Sequence, residues 1–183
     1  MEILTGLWRR LDVPGHDACM LEAGDDGACL RGMAVFVHES EAARLHYEVT
    51  CDREWRALRG RVSGSIGAAS VDYAFARDDH WSMNGVAVPG LEHCLDLDFG
   101  FTPATNILPL SRLALNVGDA ADAPAAWFDV DTKTLNELPQ RYTRRSETTY
   151  WYESPTANYA AELMMRPGGF TRVYPGLWES ELK

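Results

Sequence analysis

Leu45-His46-Tyr47-Glu48-Val49-Thr50-Cys51-Asp52 alternates apolar and polar side chains without a break. Successive side chains of a β-strand point to opposite faces. Leu45, Tyr47, Val49 and Cys51 therefore share one face, and His46, Glu48, Thr50 and Asp52 share the other. The spacing predicts a half-buried strand. Val71, Tyr73 and Phe75 repeat the pattern, as do Leu95, Leu97 and Phe99 against Asp96 and Asp98. Ala126, Phe128 and Val130 follow, then Tyr159, Ala161, Leu163 and Met165. Turn signals separate these runs at short intervals, among them Gly24-Asp25-Asp26-Gly27, Asn84-Gly85, Pro89-Gly90, Gly118-Asp119, Ser154-Pro155 and Pro167-Gly168-Gly169.

Helical signals are scarce. Residues 39–45 could make a turn or two. Thr102-Pro103 reads as an N-cap followed by proline at the first helical position, where its missing N–H costs nothing. Pro109 would break or restart that helix. A short, interrupted helix between residues 103 and 115 is expected. The fold class is mainly β: one domain over residues 1–183, an antiparallel meander with a short helical insert. Such a sheet must close or curl, because a long open edge invites aggregation. Gly60, Gly64 and Gly67 mark a bend or bulge where it curls.

The 183 residues carry 17 basic and 27 acidic side chains, a net charge of −10. That balance repels nucleic acid at long range, and no nucleic-acid partner is expected. Arg141, Arg144 and Arg145, around Tyr142, read as a solvated strand face. No run approaches the ~20 apolar residues of a transmembrane helix, so no integral membrane segment is expected. Residues 1–13 carry Trp8, Arg9, Arg10 and Asp12 and no apolar signal-peptide core. The expected location is cytoplasmic. Cys19, Cys29, Cys51 and Cys94 form no Cys-x-x-Cys pair and are expected as reduced, buried thiols.

Neither a phosphate-binding glycine loop nor a Gly-x-Ser-x-Gly elbow is present. His93-x-x-Asp96-x-Asp98 offers metal-ligand types, but on a strand His93 points opposite to the two aspartates. The preferred reading puts both aspartates on the polar face of an amphipathic strand, with no metal and no cofactor. The same pair could serve as acid and base of a glycosidase, whose carboxyl groups lie roughly 5 to 10 Å apart. The aromatics Tyr142, Tyr150-Trp151-Tyr152 and Tyr174-Pro175-Gly176-Leu177-Trp178 suit a pocket gripping both an acyl chain and a sugar. Ordinary sheet core is the competing reading.

The run Asp96-Leu97-Asp98-Phe99-Gly100-Phe101-Thr102-Pro103-Ala104-Thr105-Asn106-Ile107-Leu108-Pro109-Leu110-Ser111-Arg112-Leu113 resembles the central signature of the bacterial family called "putative glycolipid-binding". Asp52-x-x-Trp55, Gln140-Arg141-Tyr142, Tyr150, Tyr152 and Tyr174-Pro175-Gly176-Leu177 add to the resemblance, which covers nearly the whole chain. Ser111 departs from it, standing where a second arginine is expected. The resemblance implies a spiral β-roll, half-barrel-like, wrapped around an apolar cavity, with a lipid or glycolipid-like small molecule as partner. Asp98, Asn106, Arg112, Tyr142, Tyr150, Tyr152 and Tyr174 are the expected ligand-binding residues, and none is assigned as catalytic.

Three functions remain open. The preferred one is non-catalytic binding, with apolar chains inside the roll and polar contacts at its mouth. An enzyme would act on a sugar or lipid through Asp96 or Asp98 with Arg112. A structural or partner-binding domain would have a filled core. The interior discriminates among them. Arg112 is expected to turn back and pair with Asp96 or Asp98, pinning the helical insert across the open end of the sheet.

Overall fold

The computed structural model describes residues 1–182. The first half of the chain forms β1 (Glu2–Arg10), β2 (Gly15–Gly24), β3 (Gly27–His38), β4 (Glu41–Cys51), β5 (Ala57–Ile66) and β6 (Ala69–Arg77). Three short strands follow: β7 (Trp81–Met83), β8 (Val86–Val88) and β9 (Asp96–Phe99). After a helical insert come β10 (Ala120–Asp122), β11 (Ala125–Asp129), β12 (Thr134–Leu138) and β13 (Arg141–Arg144). The chain closes with β14 (Thr149–Ser154), β15 (Tyr159–Met165), β16 (Thr171–Tyr174) and β17 (Trp178–Ser180).

One 14-stranded sheet runs in the order β10-β13-β14-β15-β16-β17-β1-β2-β3-β4-β5-β6-β7-β8. It is the expected meander, joined at mid-sheet where β1 pairs antiparallel with β17, Trp8 opposite Ser180. β10 and β8 are its two edges, so it does not close into a barrel. A second sheet has the order β12-β11-β9. Here β11 lies antiparallel to β12 but parallel to β9, because the insert and β10 carry the chain back to the start of β9.

The alternation around Leu45 orders the interior as read. Ala43, Leu45, Tyr47, Val49 and Cys51 are buried, and Ala42, Arg44 and His46 are exposed. That same alternation corrects the helical turn expected over residues 39–45. Glu39 and Ser40 form the turn between β3 and β4, with φ of 46° and 72°, and β4 begins at Glu41. At Gly60 a Cβ would stand 2.2 Å from Leu97 Cδ2, so its bareness lets β9 lie close against β5.

The insert is a 3-10 turn, Ala104–Asn106, running into helix α1, Ile107–Leu113. Thr102 Oγ1 accepts the Ala104 N–H at 3.0 Å and so caps the turn. Pro109 neither breaks nor restarts the helix. It is the third residue of α1, in the first turn, where backbone N–H groups have no intrahelical acceptor. Ala114, left-handed at φ 44°, closes the helix with its N–H on the Leu110 carbonyl.

The large apolar cavity is the expectation that fails. Leu97, Phe99, Phe101, Ile107, Leu108 and Phe128 are all buried, and together the small sheet and α1 occupy the hollow of the large sheet. Phe99 and Phe101 stack with centroids 5.7 Å apart, and Phe128 meets Phe75 at 5.1 Å. Interiors pack at crystal-like density, so strands inserted into a roll displace its cavity. Cys19, Cys51 and Cys94 are buried free thiols and Cys29 is half-buried. Burial pushes Cys51 and Cys94 up to about 12, which leaves them unreactive.

Candidate functional site

Residues directly opposite in a sheet share a face, so the pairing sorts the small sheet into two sides. Leu97, Phe99, Ala126, Phe128 and Leu135 lie on one side and pack on β4 to β6. Asp96, Asp98, Ala125, Trp127 and Leu138 lie on the other, toward α1 and β13 to β17. Neither side is solvated. This corrects the reading of Asp96 and Asp98 as the wet face of an amphipathic strand, since a strand covered on both sides has no wet face.

Asp96 is 1% exposed and takes the expected partner. Arg112 Nε donates to Oδ1 at 3.1 Å and Nη2 to Oδ2 at 2.5 Å. This two-point grip ties α1 to β9. Burial raises the Asp96 carboxyl above its usual range and Arg112 opposes that rise. Asp98 is placed differently. Its Oδ2 accepts only long bonds, 3.4 Å each, from Thr105 Oγ1 and Gln140 Nε2. Burial pushes Asp98 up to about 6, against those two bonds.

Asp98 looks into a pocket of about 400 Å³. Asp98, Thr102, Asn106 and Ser154 supply its polar atoms, while Trp127, Tyr152, Tyr174 and Trp178 supply aromatic walls. Glu137, Thr156 and Ala157 are exposed at the rim. Gly100 makes room for the wall: a Cβ there would stand 2.7 Å from Trp127 Nε1. The indoles differ in their bonding. Trp8 donates to the Thr171 carbonyl at 2.6 Å and Trp81 to the Cys94 carbonyl at 2.9 Å. Trp127 and Trp178, which line the pocket, make no such bond among the described residues.

Behind Thr102 lies a second buried carboxylate. Asp17 is fully buried, accepting from Thr102 Oγ1 at 2.5 Å and from the Tyr47 hydroxyl at 2.9 Å. Burial pushes Asp17 up to about 7, with the Thr102 and Tyr47 bonds opposing. On the far side, the Tyr142 hydroxyl donates to Asn106 Oδ1 at 3.0 Å. Tyr142 and Tyr152 rings lie 5.0 Å apart, and Tyr152 and Tyr174 5.7 Å, a run of tyrosines from core to pocket.

The profile of the family described as "Putative glycolipid-binding" matches residues 5–180. The chain belongs to that family. It is also similar to a DUF1089 family protein from Pseudomonas aeruginosa, known from a crystal structure. The TM-score is 0.78 at 25% identity, covering 89% of this chain and 91% of that one. No curated protein matches the chain.

In this family member the central segment builds one wall of the pocket, but not every expected residue reaches it. Asp98, Asn106, Tyr152 and Tyr174 line it. Arg112 does not; its guanidinium is committed to Asp96. Tyr142 is fully buried behind Asn106. Tyr150 belongs to a separate groove beside Ile107 and Leu110, with Arg144 over its ring at 5.7 Å. Nor is the basic trio a wholly solvated face: Arg144 is half-buried, and its Nη1 donates to the Leu115 carbonyl at 2.6 Å.

Trp178 is among the aromatics that the sequence suits to a pocket, whereas Trp127, Ser154, Thr102 and Asp17 escape the sequence reading as site residues. Two of them carried a signal. Trp127 is an aromatic in the outward phase of the Ala126–Phe128 alternation, and Asp17 is a carboxylate in phase with Cys19 and Leu21. His93 turns its Nε2 to Glu137 at 3.2 Å, apart from the aspartates. Among the described residues no cluster of three His, Cys, Asp or Glu could hold a metal ion. None of the described helices is long and apolar enough to cross a membrane.

Proposed function

We propose that the chain binds a glycolipid-like small molecule without transforming it, the headgroup in the pocket and the lipid part leaving through its mouth. The pocket carries this reading: aromatic walls close over polar atoms, in a volume of about 400 Å³ that suits a small-molecule site. The orientation reverses the one expected from sequence. Polar groups lie deep, whereas Ala157, Tyr159 and Leu177 lie toward solvent, and the filled interior leaves an acyl chain no room behind Asp98.

Catalysis of glycoside cleavage needs two carboxyl groups facing one bond. Among the described residues only Asp98 is available for that. Asp96 is held by Arg112, and Glu137 shares the Ala126 side of the sheet and pairs with His93. Native mass spectrometry of protein purified from its own host tests the reading. A retained adduct whose fragments include a sugar is expected, and Trp127→Ala should lose it. A protein that carries no adduct and binds no fluorescent glycolipid in solution would refute it.

A further inference from the structure

Carbohydrate-sized ligands need partners of three kinds in one place: acceptors and donors for hydroxyl groups, and flat apolar surface for C–H faces. The pocket supplies all three. Among the described residues Asp98 Oδ1 makes no hydrogen bond, since both long contacts fall on Oδ2. A carboxylate can accept about four hydrogen bonds, so this oxygen is an open acceptor in a desolvated site. Ser154 is 1% exposed and lines the pocket, and its Oγ makes no hydrogen bond of good geometry, having only the Tyr152 hydroxyl beside it. Buried polar groups are ordinarily satisfied, so a hydroxyl without a well-formed bond beside a cavity can take one from a ligand. Trp127, Tyr174 and Trp178 offer the rings.

Charge then narrows the class. Among the described residues no Lys, Arg or His lines the pocket, while Asp98 lies inside it and Glu137 at its rim. The guanidinium nearest along this side of the sheet, Arg112, already holds Asp96 with two bonds. Arg10, which lies 5.1 Å from the centre of the Trp178 ring, is likewise held by Asp12 with two bonds. A phosphate, sulfate or carboxylate entering here would meet an anion with no uncommitted cation in the lining to balance it.

We propose that this pocket selects an uncharged glycosyl headgroup, with Asp98 Oδ1 and Ser154 Oγ bonding its hydroxyls, and rejects anionic headgroups. This rests on the binding reading above. Isothermal titration of the whole chain at pH 8 tests it, using dioctanoyl glycerol lipids that share tails but carry either one glucose or a phosphoglycerol. The glucosyl lipid should bind, and the phosphoglycerol lipid should bind roughly 100-fold more weakly, as like-charge juxtaposition demands. Asp98→Asn should shrink that ratio by at least about tenfold, since it removes the charge and keeps an acceptor. Ser154→Ala, which deletes a hydroxyl with no well-formed bond in the free protein and should keep the melting temperature within a few degrees, should weaken the glucosyl lipid about tenfold and leave the rejection in place. Equal affinity for the two lipids, or preference for the phosphoglycerol, overturns the headgroup assignment while leaving lipid binding standing. Binding of neither lipid overturns both.

Discussion

The two sides of the three-stranded sheet are both covered by other elements and are chemically opposite. On one side Leu97, Phe99 and Phe128 meet Phe75, Tyr47 and the bare backbone of Gly60, with no polar side chain between them. On the other, within the same short strands, Asp96 and Asp98 meet Arg112, Gln140 and Thr105. The first side is close-packed to the backbone, and the second keeps a pocket. The apolar side therefore holds the fold, and the polar side is where we propose that a ligand binds. That division makes each side separately testable.

The largest effects are expected from truncating one residue on each side. Phe128→Ala opens a cavity in a fully buried cluster and should cost about 3–5 kcal/mol. Measured by urea denaturation below the transition, ligand affinity should stay the same, because Phe128 points away from the pocket. Arg112→Ala should cost a similar ~3–5 kcal/mol, because Asp96 would be left buried and unpaired. Arg112→Lys should recover only part of this, having one point of contact where the guanidinium has two. If Arg112→Ala leaves the denaturation midpoint where it was, Asp96 is not buried as described and the polar side is looser than the apolar one.

These two sides also differ in how far the sequence discloses them. Leu97, Phe99 and Phe128 announce themselves through period-two spacing, because burial against β4 to β6 is what that spacing encodes. The same rule misreads Asp96 and Asp98. Alternation distinguishes the two sides of a strand, but it cannot say that both are covered, and here β13 to β17 arrive from 40 or more residues downstream to cover the second. The meander and the short insert were legible because turns and strands are local. The filled interior was not, because nothing in β9 or β11 says that they leave the large sheet. Trp127 and Asp17 are the instructive misses: each violates the phase of its own strand, and each marks the neighbourhood of the pocket.

A middle-sized effect should come from pH. Asp17 and Asp98 have carboxyls raised to about 7 and about 6. The folded chain therefore holds their protons more tightly than the unfolded chain does. Their contribution to stability is fully present below about pH 4 and is lost as pH climbs through 6 and 7. For Asp17 the full swing is on the order of 4 kcal/mol. Asp17→Asn, which cannot ionise, should flatten the fall in melting temperature between pH 5 and pH 8 and should be the more stable protein at pH 8. A variant whose profile runs parallel to that of the parent would show that Asp17 is ionised throughout that range.

The smallest effect belongs to the rim. Glu137 and His93 are 40% and 52% exposed, and their pair is screened by water. Glu137→Gln should change stability by less than about 1 kcal/mol and leave the pocket's walls unmoved. A larger loss would place Glu137 in the framework and not at the edge.

The indole N–H resonances of the six tryptophans test the central claim, that the polar side of the small sheet is a binding site, most directly. Titrating nitrogen-15-labelled protein with the short glucosyl lipid should shift the signals of Trp127 and Trp178, which line the pocket and whose indole N–H groups have no bonded acceptor among the described residues. Those of Trp8 and Trp81, bonded to the carbonyls of Thr171 and Cys94, should stay in place. Saturable binding that moves Trp8 or Trp81 and leaves Trp127 and Trp178 still would contradict the account.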